Sequence, residues 1–278
     1  MRDDFAVFIL SHGRAEKCLT LETLRRCGFS GKVFIVIDDE DDQKADYFSN
    51  FGSDMVVEFC KKDYVSSVDT ITIVDNPASP TFARNAVCDI AKQHGVKYFG
   101  MFDDDLTNFL YRYNDSGSLR KKDISDLDKI FEYMLDFMDI SNADCFAFTN
   151  AGGLIGGVSG RFADGLRRQA AATFIIRTES YAPFVGVYNE DMNYSLLKAR
   201  KGQLVFELTK IAFYTCERGD NSGGLHDLYA SKDWYFINFH SVVCLPDVCK
   251  IQPRNGNAKL KINWVCSIPQ IISGRWKK

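Results

Sequence analysis

Val96-Lys97-Tyr98-Phe99-Gly100-Met101-Phe102 runs directly into Asp103-Asp104-Asp105, and this stretch decides the fold. A stretch of this length that is apolar apart from Lys97 near its start reads as a buried strand, the kind found in parallel sheets flanked by helices. At the carboxyl end of such a strand, side chains project into the crevice where ligands bind. Adjacent carboxylates there repel one another unless a cation neutralises them. A hard divalent ion with oxygen ligands, Mn²⁺ or Mg²⁺, suits Asp103 and Asp105. A solvated acidic turn is the plain alternative.

Upstream, Thr81 to His94 reads as a helix with Ala83, Val87, Ile90 and Ala91 on one face and Gly95 as its stop. It opens with Ala83-Arg84-Asn85, where free amides and a guanidinium fork suit a phosphate. Phe5 to Leu10 is a strand followed by the loop Ser11-His12-Gly13-Arg14, and a helix within Arg14 to Arg26 stops at Gly28. Val33 to Ile37 is a second strand that runs into Asp38-Asp39-Glu40-Asp41-Asp42. A helix over Asp42 to Phe51, an edge strand over Met55 to Cys60 and a strand over Thr70 to Val74 complete the alternation expected of an α/β chain. The first two loops lie at the same sheet edge. Ser11 and Arg14 offer donors there, and Asp38 and Asp39 acceptors, suited to a nucleoside; the other reading is polar turns on the rim.

Downstream, Ser125 as N-cap, Asp128 three residues on, and Leu127, Ile130, Phe131, Met134, Leu135 and Met138 at helical spacing mark a covering helix. Strands over Cys145 to Thr149 and Thr173 to Arg177 flank the Gly-rich stretch Gly152 to Gly165. That stretch lacks the strand-and-helix context of a dinucleotide fingerprint and reads as a mobile acceptor-side loop. A helix from Glu190 to Lys201 ends at Gly202, and strands follow at Leu204 to Glu207 and Ile211 to Thr215. Glu190-Asp191 sits at a helix N-terminus, where the dipole keeps a carboxylate ionised. The pair either caps the helix or supplies a base for an acceptor hydroxyl. No repeat or linker interrupts the chain. It reads as a single domain over 1–278, with a donor half (1–110), an acceptor and catalytic half (111–249) and a basic segment (250–278).

With 46% hydrophobic and 26% charged among 278 residues, the composition excludes disorder as the main state. No apolar run of about 18 residues and no signal-peptide core are present, so a cytoplasmic protein that does not span a membrane is expected. The nine cysteines contain no CxxC pair, and Cys18, Cys88 and Cys145 lie in apolar patterns, as buried thiols do. From Lys250 onward there are seven basic residues and no acidic one. Removing these from the formal net charge of -3 leaves the preceding residues at -10. A basic tail on an acidic body fits a polyanion near one end, or simply a solvated terminus.

The order of strand, Ser-His-Gly-Arg loop, strand ending in Asp38-Asp39, Ala83-Arg84-Asn85 helix and strand ending in the acid triplet resembles the GT-A glycosyltransferases. That resemblance implies a GT-A type fold, with a Rossmann-like, mostly parallel central sheet flanked by helices and acceptor-side loops in the C-terminal half. It also implies a nucleotide-sugar donor, a UDP-sugar, with its diphosphate on Mn²⁺ or Mg²⁺ held by Asp103 and Asp105. Ser11, Arg14, Asp38, Asp39 and Asp104 would surround the nucleotide, and Arg84 and Asn85 would face the diphosphate. A C-terminal His completes the metal set in many such enzymes, and His226 is the candidate here, with His240 behind it.

Within that superfamily, Ala83-Arg84-Asn85, the triplet, Glu190-Asp191 and Gly223-Gly224-Leu225-His226 look like the TET-associated glycosyltransferases of phages. These are similar to the base J glucosyltransferases and act on hydroxymethylated pyrimidines in DNA. The resemblance implies 5-hydroxymethylcytosine in DNA as acceptor and Glu190 or Asp191 as the base in an inverting reaction, or as an acceptor-orienting group in a retaining one. Arg161, Arg167, Arg168, Lys259 and Lys261 are then candidates for the phosphate backbone, and Tyr188 or Trp264 for stacking on an extruded base. No obligate protein partner is expected. The alternatives are a glycan or protein acceptor, a nucleotidyltransferase, and a binding module without activity. The single glycine of the Ser11–Arg14 loop counts against a nucleotidyltransferase.

Overall fold

The computed structural model describes residues 1–71, 79–167, 170–216, 234–254 and 256–264. Its centre is a mixed sheet in the order β3-β2-β1-β4-β9-β7-β10-β5-β6. The first four strands of that order are β3 (Val56–Phe59), β2 (Lys32–Asp38), β1 (Phe5–Leu10) and β4 (Tyr98–Asp103), all mutually parallel. Beyond β4 the sheet becomes mixed. β9 (Thr173–Arg177) lies antiparallel between β4 and β7 (Cys145–Asn150). β10 (Val205–Thr215) runs parallel to β7, and β5 (Leu106–Asp115) and β6 (Ser118–Asp123) form an antiparallel hairpin at the edge. The short β8 (Leu166–Arg167) adds to β10. This is the α/β layout expected, with the parallel pairing concentrated in the N-terminal part of the chain.

Every residue of β1 is buried, because helices cover both faces of the sheet. Phe5, Val7 and Ile9 join one core with α1 (Leu19–Arg26), α2 (Lys44–Phe51) and α5 (Leu127–Ser141). Ala6, Phe8 and Leu10 join another with α3 (Lys61–Val65) and α4 (Pro80–Gln93). Phe131 of α5 is the knot of the first core, its ring centroid 5.1 Å from Phe5, 5.2 Å from Phe29, 5.7 Å from Phe148 and 6.2 Å from Phe102. Truncating such a ring costs ~3–5 kcal/mol. A third, smaller cluster joins α6 (Glu190–Arg200), α7 (Trp234–Cys244) and the separate hairpin of β11 (Cys249–Arg254) and β12 (Asn257–Ile262).

Several boundaries differ from the sequence expectation. α1 begins only at Leu19, because Arg14 to Cys18 form turns. Gly28 does end it, at φ +84, and a Cβ there would lie 2.3 Å from the Ser125 carbonyl oxygen. α5 is capped by Asp126, not Ser125: the Asp126 carboxylate accepts from the Lys129 amide at 3.2 Å, while Asp128 reaches across to Ser30. The two strands expected between Leu204 and Thr215 are one, with a register shift between Leu208 and Ala212. Thr70 and Ile71 are not in a strand, and most of that expected segment lies outside the described residues. The β5–β6 and β11–β12 hairpins were not anticipated. Among the described residues the cysteines are free thiols, and no helix is long and apolar enough to cross a membrane.

Candidate active site at the carboxyl edge of the sheet

β1, β2 and β4 end side by side, which brings Ser11, Asp38 and the acid triplet to one edge. Asp104 turns inward and is buried. It accepts from Ser11 Oγ at 2.6 Å and from Arg14 Nη1 at 2.6 Å. Because the one Ser11 proton goes to Asp104, the 2.6 Å contact with Tyr47 must be donated by the phenol, which itself accepts from the Arg14 amide at 2.9 Å. The chain Arg14 amide, Tyr47, Ser11, Asp104 therefore runs in one direction. Burial raises the Asp104 carboxyl, and Arg14 and Ser11 oppose that rise.

The Ser11–Arg14 loop is fixed from α2 and its approach. Asp41 accepts from the Gly13 amide at 2.8 Å, where φ is +66, and Gln43 accepts from the Ala15 amide at 2.9 Å. His12 Nδ1 lies 2.7 Å from Asp38, and that hydrogen bond raises the imidazole above its ordinary range. Asp39 is exposed and accepts from the Lys61 amide at 2.8 Å, at the start of α3. Of the two nucleoside acceptors expected, Asp38 thus pairs with His12, and Asp39 serves the next helix.

Thr20 of α1 clamps the triplet from beneath. Its hydroxyl donates to the Asp103 carbonyl at 2.6 Å and accepts from the Leu106 amide at 2.9 Å, while its own amide donates to the Asp104 carbonyl. Asp103 and Asp105 are the less buried carboxylates of the triplet. The Asp103 side chain is 36% exposed, with Arg84 as its cationic partner. Asp105 is pushed up to about 6 by burial and by the charges of Asp103 and Asp104. Two hard oxygen donors in mutual repulsion suit a divalent cation, which would relieve that repulsion. Among the described residues no third His, Cys, Asp or Glu joins them to form a ready-made metal cluster. His226 lies outside the described residues. His240 is buried against Tyr188 and Phe236, with its Nδ1 3.0 Å from the Phe236 carbonyl, and burial lowers its pKa.

Arg84 is the centre of the arrangement and is only 3% exposed. Its Nε donates to Glu190 Oε1 at 3.1 Å and its Nη2 to Asp103 Oδ1 at 3.1 Å, joining α6 to β4 across the second core. Nη1 is buried with no partner. The rings of Phe174 and Phe184 pack against the guanidinium, at 5.2 and 5.8 Å. The expectation that Arg84 and Asn85 sit at a free helix N-terminus is corrected. α4 starts at Pro80, its cap Ser79 donates to the Val187 carbonyl, and Thr81 donates to the Gly186 carbonyl, so a loop already covers that end. Asn85 is buried and faces that loop: its amide donates to the Phe184 carbonyl, and its oxygen accepts from the Phe184 amide and the Tyr181 hydroxyl.

Glu190 and Asp191 take different parts. Glu190 turns to Arg84, whereas Asp191 Oδ1 accepts from the Met192 amide at 2.6 Å, a cap-like contact in the first turn of α6. Burial and the Asp191 charge raise Glu190 above the usual carboxylate range, and Arg84 opposes them. Asn189, at φ 53, precedes the pair and donates to the Ile237 carbonyl at 3.1 Å, so α7 is fastened to the start of α6.

The residues expected to contact an acceptor scatter. The Gly-rich stretch folds into 3₁₀ turns, with the Phe162 carbonyl held by Thr209 and Lys210 of β10. The Arg161 guanidinium lies over Gly153, where a Cβ would sit 2.7 Å from Nη1. Arg168 and the Arg167 side chain lie outside the described residues. Lys259 and Lys261 are exposed on β12. Trp264 is half-buried against the α6–α7 cluster, and Tyr188 lies beside Phe236 and His240, two residues before Glu190. Sequence reasoning missed Thr20 and Tyr47, which looked like ordinary helix positions, and His12.

With this geometry in place, the sequence profile described as TET-Associated Glycosyltransferase matches residues 5–224. The chain belongs to this family. The matched span contains the triplet, Arg84 and Glu190 and ends before α7. No curated protein matches the chain in sequence. Among solved structures it resembles S. aureus TarS 1-349, at 16% identity over 87% of this chain and 65% of that one, with a TM-score of 0.46. It also resembles glucosyl-3-phosphoglycerate synthase from Mycobacterium tuberculosis in complex with Mg²⁺ and uridine diphosphate, at 10% identity over 93% of this chain and 86% of that one, TM-score 0.47. The chain thus spans just under two thirds of the TarS fragment. Likenesses at these scores assign no residue a role.

Proposed function

We propose that the protein is a metal-dependent glycosyltransferase that moves a sugar from a UDP-sugar to the hydroxymethyl group of 5-hydroxymethylcytosine in DNA. The observation that carries the reading is the buried Arg84 bridge, which holds Glu190 and Asp103 within 3.1 Å of one guanidinium. It couples a carboxylate suited to proton removal with one suited to a diphosphate-bound cation. Membership of the TET-associated family supports the DNA acceptor.

In this reading Asp103 and Asp105 would hold Mn²⁺ or Mg²⁺, which would supply positive charge for the leaving diphosphate. Ser11, Arg14 and Asp104 form the floor under the nucleotide, with Asp38 and Asp39 at its rim. Glu190 accepts the proton of the hydroxymethyl group as that oxygen bonds to the anomeric carbon and the bond from that carbon to the diphosphate oxygen breaks. Arg84 holds Glu190 in place, and its unpartnered Nη1 is a donor in reserve for the oxygens that gain charge.

The test is nucleoside mass analysis of DNA containing 5-hydroxymethylcytosine after incubation with the protein, Mn²⁺ and a panel of UDP-sugars. A gain of one sugar mass on the modified nucleoside, absent without metal and reduced ~10²–10⁴-fold in Glu190→Gln, is expected. Metal-dependent UDP release with no gain on DNA would overturn the acceptor assignment.

A further inference from the structure

α7 is inside out. Its sequence is strongly apolar, yet the residues it buries are Ile237, Asn238, His240 and Ser241, and those it exposes include Tyr235, Phe239 and Val243, at 57%, 41% and 52%. Tyr235 and Phe239, one turn apart, stack with centroids 5.7 Å apart and an interplanar angle of 12°. An ordinary surface helix does the reverse, and a contiguous exposed aromatic face marks an interaction surface.

The hairpin packed beside it supplies the second observation. β11 and β12 turn apolar residues toward α6 and α7 and leave Lys250, Arg254, Lys259 and Lys261 exposed, and none of the four pairs with a carboxylate among the described residues. Lys250 stands directly opposite Lys261 in the ladder. Like charges facing across a strand pair destabilise it, so the hairpin carries a local cost that an anionic partner would relieve. Lys259 lies 5.3 Å from the Trp234 ring, which joins the basic face to the aromatic helix. The unit is also tied to the site, since Asn189 reaches the Ile237 carbonyl and Asn238 reaches the Ala258 carbonyl. It lies beyond the family match at residue 224.

We infer that α7 and the β11–β12 hairpin form a platform for the acceptor DNA, with Lys250, Arg254, Lys259 and Lys261 on the phosphates and the Tyr235–Phe239 stack against exposed bases. This rests on the DNA reading above. Cations along a backbone and aromatic rings beside it are the two elements with which proteins hold unpaired or opened nucleic acid. The platform sits one hydrogen bond from the residue preceding Glu190. A base extruded from a strand held there is delivered to the site without help from the acidic donor half.

The experiment measures binding of a fluorescent duplex of about 20 base pairs containing 5-hydroxymethylcytosine across a salt series, using the full chain. Variant one is Lys250→Gln with Lys259→Gln and Lys261→Gln, and variant two is Tyr235→Ser with Phe239→Ser. The lysine variant is expected to bind at least about tenfold more weakly, with a log–log salt slope shallower by ~2–3, since each phosphate contact contributes ~0.9. The aromatic variant is expected to lose about tenfold with its slope unchanged. UDP-sugar hydrolysis stays at the wild-type level in both, which shows that the donor half is folded. Variants that bind within about twofold of a wild type that itself binds DNA would overturn the platform alone. A wild type that does not bind DNA, but does bind anionic phospholipid vesicles or self-associates through this face, would overturn the platform together with the DNA acceptor.

Discussion

At the carboxyl edge of the sheet nearly every charge has its partner on the chain itself: Arg14 with Asp104, His12 with Asp38, Arg84 with both Asp103 and Glu190. On the β11–β12 hairpin, four cations share one face and two of them oppose each other. The first arrangement is pre-organised, with its electrostatic cost met during folding. The second is left open for a partner to complete. A site that must stabilise charge developing in a small ligand gains from fixed dipoles, whereas a surface that takes a long polyanion gains from cations free to release their counterions.

The sharpest way to break the contrast is at Arg84. Arg84→Met leaves Glu190 and Asp103 without their shared donor, and breaking a buried pair by removing one member costs ~3–5 kcal/mol. Denaturant unfolding should show a loss of that order, and transfer activity should fall by roughly 10³-fold. A variant of near wild-type stability and activity would mean that the two carboxylates do not depend on their bridge. The same substitution at Lys259 should leave stability almost unchanged, because that side chain is exposed.

How much of this was legible in the sequence follows the same division. β1, β4, α4 and α5 were readable because continuous apolar runs and helical spacing record burial directly. Asp103 and Arg84 were readable as chemistry, but their link to Glu190 spans more than a hundred residues of chain, and no local pattern encodes it. Asn85 misled because a polar residue near a helix start looks available, whereas it is buried holding the Tyr181–Phe184 loop. The hairpins escaped for a different reason. β6 has Leu119 as its one apolar residue, so no alternation shows. The β11–β12 alternation of Ile251, Leu260 and Ile262 with basic residues around Asn255-Gly256 was overshadowed by the charge of the tail. α7 escaped because its apolar pattern, read alone, points the wrong residues inward.

A smaller effect tests how far the carboxyl edge of the sheet depends on its directional hydrogen bonds. Tyr47→Phe removes the phenol that donates to Ser11 and accepts from the Arg14 amide. Both partners lie near buried surface, and an unsatisfied group there costs ~1–3 kcal/mol. A drop of that size in unfolding free energy is expected, with weaker UDP binding by calorimetry as the Ser11–Arg14 loop loosens. Unchanged UDP affinity despite lost stability would show that the loop's position comes from Asp41 and Gln43 alone.

The smallest effect concerns His12, and its sign is fixed by the direction of the shift. The hydrogen bond to Asp38 raises the imidazole pKa, with burial opposing it, Asp41 at 3.8 Å adding to it and Lys61 reducing it. A group whose folded pKa is raised contributes stability that is fully present below its unfolded value, about 6.5, and is lost as pH rises through the folded value. The stability difference between wild type and His12→Gln should therefore be largest at about pH 6 and vanish toward about pH 9, read by thermal unfolding. The His12 side chain is 51% exposed, so solvent screens the pair and the difference should stay below about 1 kcal/mol. A difference that holds constant across this range would mean that the neutral imidazole suffices. The carboxyl edge of the sheet would then owe this corner to hydrogen bonding alone, and its contrast with the charged hairpin would sharpen.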